Sequence, residues 1–100
     1  MPRIKVEIAY SLHQEIALER IKGLLGKLKS DYAEMITDMN EQWTGNGSSF
    51  SFKVMGMKVK GNLRLTPSQV IIDGDLPLAA YPFKKTIVDK IREEAVKLLK

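Results

Sequence analysis

Few side chains in this 100-residue chain have the type and spacing for chemistry. His13 is its one histidine. Acid–base work would need a partner group and a cleft around both. No second histidine offers itself, so His13 reads as an exposed residue in the first turn of a helix. Asp73-Gly74-Asp75 puts two carboxylates on one side of a strand. A hard cation takes about six to eight oxygens, so the pair reads as a solvated strand end. Glu41 falls on an apolar parity between Met39 and Trp43. Buried there it would have a raised pKa and act as an acid; on an edge strand it would reach water, which is the expectation. Gly23-Leu24-Leu25-Gly26-Lys27 has the outline of a Gly-x-x-Gly loop that clamps nucleic-acid backbone. Its middle residues are apolar and belong to a helix stripe. The two glycines therefore read as small residues that let the helix approach its neighbour closely. The chain has no cysteine, which removes disulfides, thiolate nucleophiles and thiolate metal sites and fits a reducing compartment. No metal set and no cofactor motif stands out.

Two larger sets suit binding better than catalysis. Lys53, Lys58, Lys60 and Arg64, with Arg3 and Lys5, fall on the polar parity of their strands. They would make a basic outer sheet face suited to an anionic surface. An RNA-binding sheet also needs exposed aromatics for base stacking. Trp43, Phe50 and Phe52 lie on the opposite parity, which argues against nucleic acid. The second set is Met39, Trp43, Phe50, Phe52, Met55 and Met57, with Phe83 and Ile87. Placed between a sheet and the last helix, it would line a pocket for an acyl or other apolar small molecule or pack as plain core. Lys84 and Lys85 open the last helix, the unfavourable end for cations; they read as exposed, with anion binding as the other use.

The elements that must hold these groups follow from periodicity. Arg3 to Tyr10 alternates as a strand, with Ile4, Val6, Ile8 and Tyr10 on one side. Ser11-Leu12-His13-Gln14 fits a capping box for a helix running to about Tyr32. Ala17, Ile21, Leu24, Leu25, Leu28 and Tyr32 form its stripe. A weaker strand spans Thr37 to Thr44, with Thr37, Met39, Glu41 and Trp43 inward. Gly45-Asn46-Gly47-Ser48 then predicts a tight hairpin. The next strand sets Phe50, Phe52 and Val54 inward. Met55-Gly56-Met57 turns the chain into a fourth strand with Met57, Val59, Leu63 and Leu65 inward. Thr66-Pro67-Ser68-Gln69 turns it again, and Gln69 to Leu76 makes the fifth, with Val70, Ile72 and Leu76 inward. Pro77 to Pro82 breaks the pattern. A last amphipathic helix spans about Phe83 to Leu99.

The order β-α-β-β-β-β-α, with four strands in consecutive hairpins, predicts one α+β domain over residues 1–100. Its five-stranded sheet is mostly antiparallel, in the order 1-5-4-3-2, with two helices on one face. The net charge of +4, from 16 basic and 12 acidic residues, mildly favours acidic partners. No apolar run has the length of a signal peptide or membrane span, so the expected location is the cytoplasm.

Several short patterns occur together in order: Tyr10-Ser11-Leu12 with Ala17 five residues on, Trp43-Thr44-Gly45-Asn46 entering a hairpin, Gly56 and Gly61 about a short strand segment, and Leu76-Pro77-Leu78 before the terminal helix. On these the chain resembles, over nearly its whole length, the polyhydroxyalkanoic acid system proteins, small bacterial proteins associated with polyester-granule storage. The family typically has His-Ser-Leu at Tyr10-Ser11-Leu12 and Trp-Glu-Gly-Asp at Trp43-Thr44-Gly45-Asn46, so no polar catalytic role carries over to those positions. The resemblance implies a non-enzymatic accessory role at polyhydroxyalkanoate granules or on granule proteins. The element order is also similar to a cut-down helix-grip domain, the architecture of START-like lipid carriers. A homodimer, with a second copy over the outer sheet face, is compatible with either reading.

Overall fold

The computed structural model of the protein describes residues 3–100. Strand β1 (Arg3–Ala9) is followed by helices α1 (Gln14–Ile21) and α2 (Leu24–Asp31). Strands β2 (Ile36–Thr44), β3 (Gly47–Val54), β4 (Met57–Leu65) and β5 (Gln69–Asp75) come next. A 3-10 segment (Leu78–Phe83) leads into helix α3 (Lys84–Leu99). The strands form one antiparallel sheet in the order β1-β5-β4-β3-β2, as the hairpin sequence predicts.

Register explains which residues share a face. Val6 pairs with Ile72 and Ile72 with Leu63, while Ile8 pairs with Val70 and Val70 with Leu65. These six are buried beneath Ala17, Ile21, Leu24, Ala95 and Leu99 from the helices. Burying this apolar stripe is what holds the two layers together. The outer face carries the polar parity. There Arg3 bonds Asp75 at 2.7 Å and reaches Asp73 at 3.4 Å, so the two carboxylates close an ion pair with β1.

Four local expectations are corrected. The first helix is not continuous: the Gly23 N–H bonds the Arg20 carbonyl, a 3-10 step, and the residue with the weakest helix preference after proline separates α1 from α2. The capping box does not form. His13 is the N-cap with no side-chain cap, and the Gln14 amide donates instead to the Leu65 carbonyl at 3.4 Å. Gly26 meets nothing within 4 Å of a built Cβ, so it serves no close helix approach. In β2 the register slips between Thr37 and Asn40 at a bulge, with Asp38 at φ 52°. An extra residue flips parity. Thr37 therefore pairs with Lys53 on the outer face, while Glu41 and Trp43 stay on the inner one.

Candidate functional site

One end of the sheet gathers apolar side chains that the helices do not cover. Its geometry follows from the register. Val54 and Met57 close the β3–β4 hairpin, Ile36 pairs with Val54, and β5 ends at Asp75 opposite Lys60. The chain then passes through Leu76 and the 3-10 segment to the start of α3. The β3–β4 turn, the entry to β2 and the 3-10 segment thus share this end. Here Met55 and Leu78 are each 75% exposed, Phe83 62%, Tyr81 50% and Met35 41%.

The turn itself is unusual. Met55 (φ 52°) and Gly56 (φ 83°) both have left-handed backbones, the signature of a type I′ hairpin. Asparagine and glycine favour that conformation; a long side chain pays roughly 1–2 kcal/mol for it. The Met55 N–H bonds the Met35 carbonyl at 3.0 Å, tying the tip to the approach to β2. The result is an exposed thioether held at the tip of the β3–β4 hairpin.

Lysines ring this end. Lys53 and Lys58 face each other across β3–β4, where like charges repel, and Lys53 is relieved by Asp38 at 3.5 Å. Lys84 lies 5.7 Å from the Tyr81 ring centroid, and Lys85 reaches Asp89 at 3.2 Å. Lys60 and Arg64 lie further along the outer face of β4 and form no ion pair among the described residues. Lys60 borders a depression of about 680 Å3 on the outer face, lined also by Asn40, Gln42, Ser49, Ser51 and Asn62.

The apolar set does not gather round one interior pocket. Trp43 and Phe50 pack on the core, and Phe50 and Phe52 stack at 6.1 Å. Met39, Met57 and Ile87 are half-buried. Met55 and Phe83 lie at the surface, because a tight turn and a helix start expose what they carry. The candidate acid–base groups do not converge either. His13 and Glu41 are exposed, and Asp73 and Asp75 are engaged by Arg3.

Two features escaped the sequence reading. Glu94, 2% exposed, sits among Lys27 (3.5 Å), Lys90 (3.5 Å) and Lys97 (3.6 Å). Burial alone would raise its carboxyl pKa; Lys27, Lys97 and Lys90 outweigh burial and hold it below the ordinary value. Its place three residues after Ile91 and four before Leu98, on the apolar stripe, was the available signal. The second feature is Lys22, at the helix break, whose ammonium lies 5.7 Å from the Trp43 ring centroid. The Trp43 Nε1 donor is buried without a partner. Tyr10 donates its hydroxyl to the Thr66 carbonyl, and burial raises its pKa.

Among the described residues no helix is long and apolar enough to cross a membrane. No curated protein matches the chain. The family model described as polyhydroxyalkanoic acid system protein matches residues 4–99, nearly the whole length. The chain belongs to the polyhydroxyalkanoic acid system protein family.

Proposed function

We propose that this protein is a non-enzymatic accessory of polyhydroxyalkanoate storage that docks on the polyester granule through its Met55–Phe83 end. The observation that carries the reading is the exposure of Met35, Met55, Leu78, Tyr81 and Phe83, on segments that the strand register brings to one end of the sheet. Several large apolar side chains left exposed at one end, with lysines nearby, offer an interaction surface. Methionine adapts to an irregular apolar partner, and a polyester surface is one. The surrounding lysines suit carboxylate chain ends and other surface anions. The scatter of His13, Glu41, Asp73 and Asp75 supports binding over chemistry.

Co-sedimentation of the protein with isolated granules at low and high salt tests this. Apolar docking persists at high salt, whereas attraction through exposed lysines is screened. The triple substitution Met55→Ser, Leu78→Ser, Phe83→Ser abolishes the salt-resistant fraction while leaving the far-UV circular dichroism unchanged. Failure of the wild type to sediment at either salt, or undiminished binding by the triple variant, overturns the proposal.

A further inference from the structure

The sheet has two edges, and they are treated differently. On β1, Arg92 of α3 donates to the Glu7 carbonyl at 3.1 Å, so a helix side chain occupies part of that edge. Among the described residues no strand pairs with the other side of β2, and residues 36–44 contain neither lysine nor proline, two of the guards of a free edge; those present are the Asp38 bulge and the inward-facing Glu41. The Asp38 bulge disrupts only its first half. From Asn40 to Thr44 the ladder with β3 is regular.

The ladder tells which groups are free. Gly45 and Asn46 form a two-residue loop, so Thr44 and Gly47 are its closing hydrogen-bonded pair. Alternation from there turns Gln42 and Asn40 toward β3 and the N–H and C=O of Trp43 and Glu41 toward the open edge. We propose that a second copy of this chain pairs antiparallel with β2 about a two-fold axis at Gln42, joining two sheets into one of ten strands.

Charge selects that register. With Gln42 opposite Gln42, each Glu41 stands opposite the other copy's Trp43, both on the inner face. All four free backbone groups of each strand are then satisfied. Glu41, exposed and without an ion pair among the described residues, comes to the ring over which Lys22 lies. Carboxylate thus meets ammonium twice across the two-fold. Centring the axis on Glu41 would oppose two carboxylates, and like charges directly opposite are unfavourable. The edge pair also explains an acidic residue on an apolar parity. Because the strands run antiparallel, the two Met55 tips point in opposite directions.

Sedimentation velocity over a concentration series tests the pairing on the full chain, together with charge exchange. The wild type shifts from its 11.3 kDa monomer toward twice that mass. Glu41→Lys and Lys22→Glu each weaken dimerisation at least tenfold, and the double variant restores it. Hydrogen exchange on the wild type gives a second reading that no substitution can confound: the Glu41 and Trp43 amides gain protection as concentration rises, while the exposed amides of the 3-10 segment do not. A monomer at every concentration overturns the proposal. So does a dimer that ignores both charge reversals or leaves the Glu41 and Trp43 amides unprotected. Granule binding enters none of these measurements, so they stand or fall apart from the docking reading.

Discussion

The Phe50 ring lies directly over Gly61, its register partner on β4: a Cβ built on Gly61 would fall 2.5 Å from Phe50 Cζ and clash with the Asp73 carbonyl. Glycine is needed here because the aromatic side chain and the β5 backbone both occupy the space a side chain would take. Gly74, the partner of Gly61 on β5, is similarly restricted, with a Cβ 2.8 Å from the Lys60 carbonyl. The pair lets the sheet pass beneath Phe50 without a bump.

Gly61→Ala is therefore destabilising by about 1–3 kcal/mol, the range for overpacking a filled site, read as a lower urea midpoint at unchanged slope. Removing the ring with Phe50→Ala relieves only part of this penalty, because the Asp73 carbonyl is backbone and cannot swing away. Full recovery in the double variant would mean that the ring alone excludes a side chain at Gly61.

Glu94 predicts an acid-sensitive helix layer. Its carboxylate links α3 to α2 through Lys27 at 3.5 Å, and its folded pKa is below the ordinary value near 4.5. A depressed carboxylate pKa means the unfolded chain binds the proton more readily. The stabilisation is then complete above the unfolded pKa and is lost as pH falls through the folded one. Thermal unfolding of Glu94→Gln at neutral pH shows a lower midpoint than the wild type. The two proteins converge as pH is taken down through and below the ordinary carboxylate range. Parallel curves across that range would mean that the three lysines add nothing to the charged form.

Strand parity, hairpin order and the outer position of Lys53, Lys58, Lys60 and Arg64 are readable from period-two alternation, because a half-buried sheet writes its two faces into alternate residues. What escapes that reading depends on three-dimensional neighbours. Glu94 falls on the apolar stripe of α3, but its partner Lys27 comes from a helix more than sixty residues earlier, and only the fold places the two together. The helix break at Gly23 turns on one 3-10 hydrogen bond, while glycine's low helix preference alone would be tolerated in a continuous helix. The bulge at Asp38 carries no apolar signature and inverts Thr37. Met55 and Phe83 obey the hydrophobic pattern, yet face outward because a turn and a helix start expose what they carry. Of the exposed apolar residues at the docking end, only Met55 and Phe83 belong to the set placed between sheet and helix; Met35, Leu78 and Tyr81 lie in connecting segments to which periodicity assigns no face.

Lys58 offers a separate test of the lysine ring. It stands opposite Lys53 on the outer face, and reversing its sign with Lys58→Glu replaces a repulsive cross-strand pair with an attractive one. Stability rises by about 0.2–1 kcal/mol. The low-salt component of granule binding falls, and the salt-resistant component is unchanged. Equal loss of both components would place Lys58 inside the apolar contact and not at its rim.

Met55 separates stability from function most sharply. Its left-handed backbone at φ 52° is a position where Asn would be at ease, followed by Gly56, which suits its own φ of 83°. Met55→Asn creates the Asn-Gly pair that type I′ turns prefer and relieves about 1 kcal/mol of strain. Burial losses are small because the side chain is 75% exposed. The variant therefore unfolds at a higher urea concentration than the wild type. In the docking reading it also binds granules less tightly at high salt, because the apex has exchanged a thioether for an amide. A protein that gains stability and loses attachment through one exposed residue retains methionine there for contact, at a cost to its own fold. Gain of stability with attachment intact would remove Met55 from the docking surface and leave Leu78, Tyr81 and Phe83 to carry it.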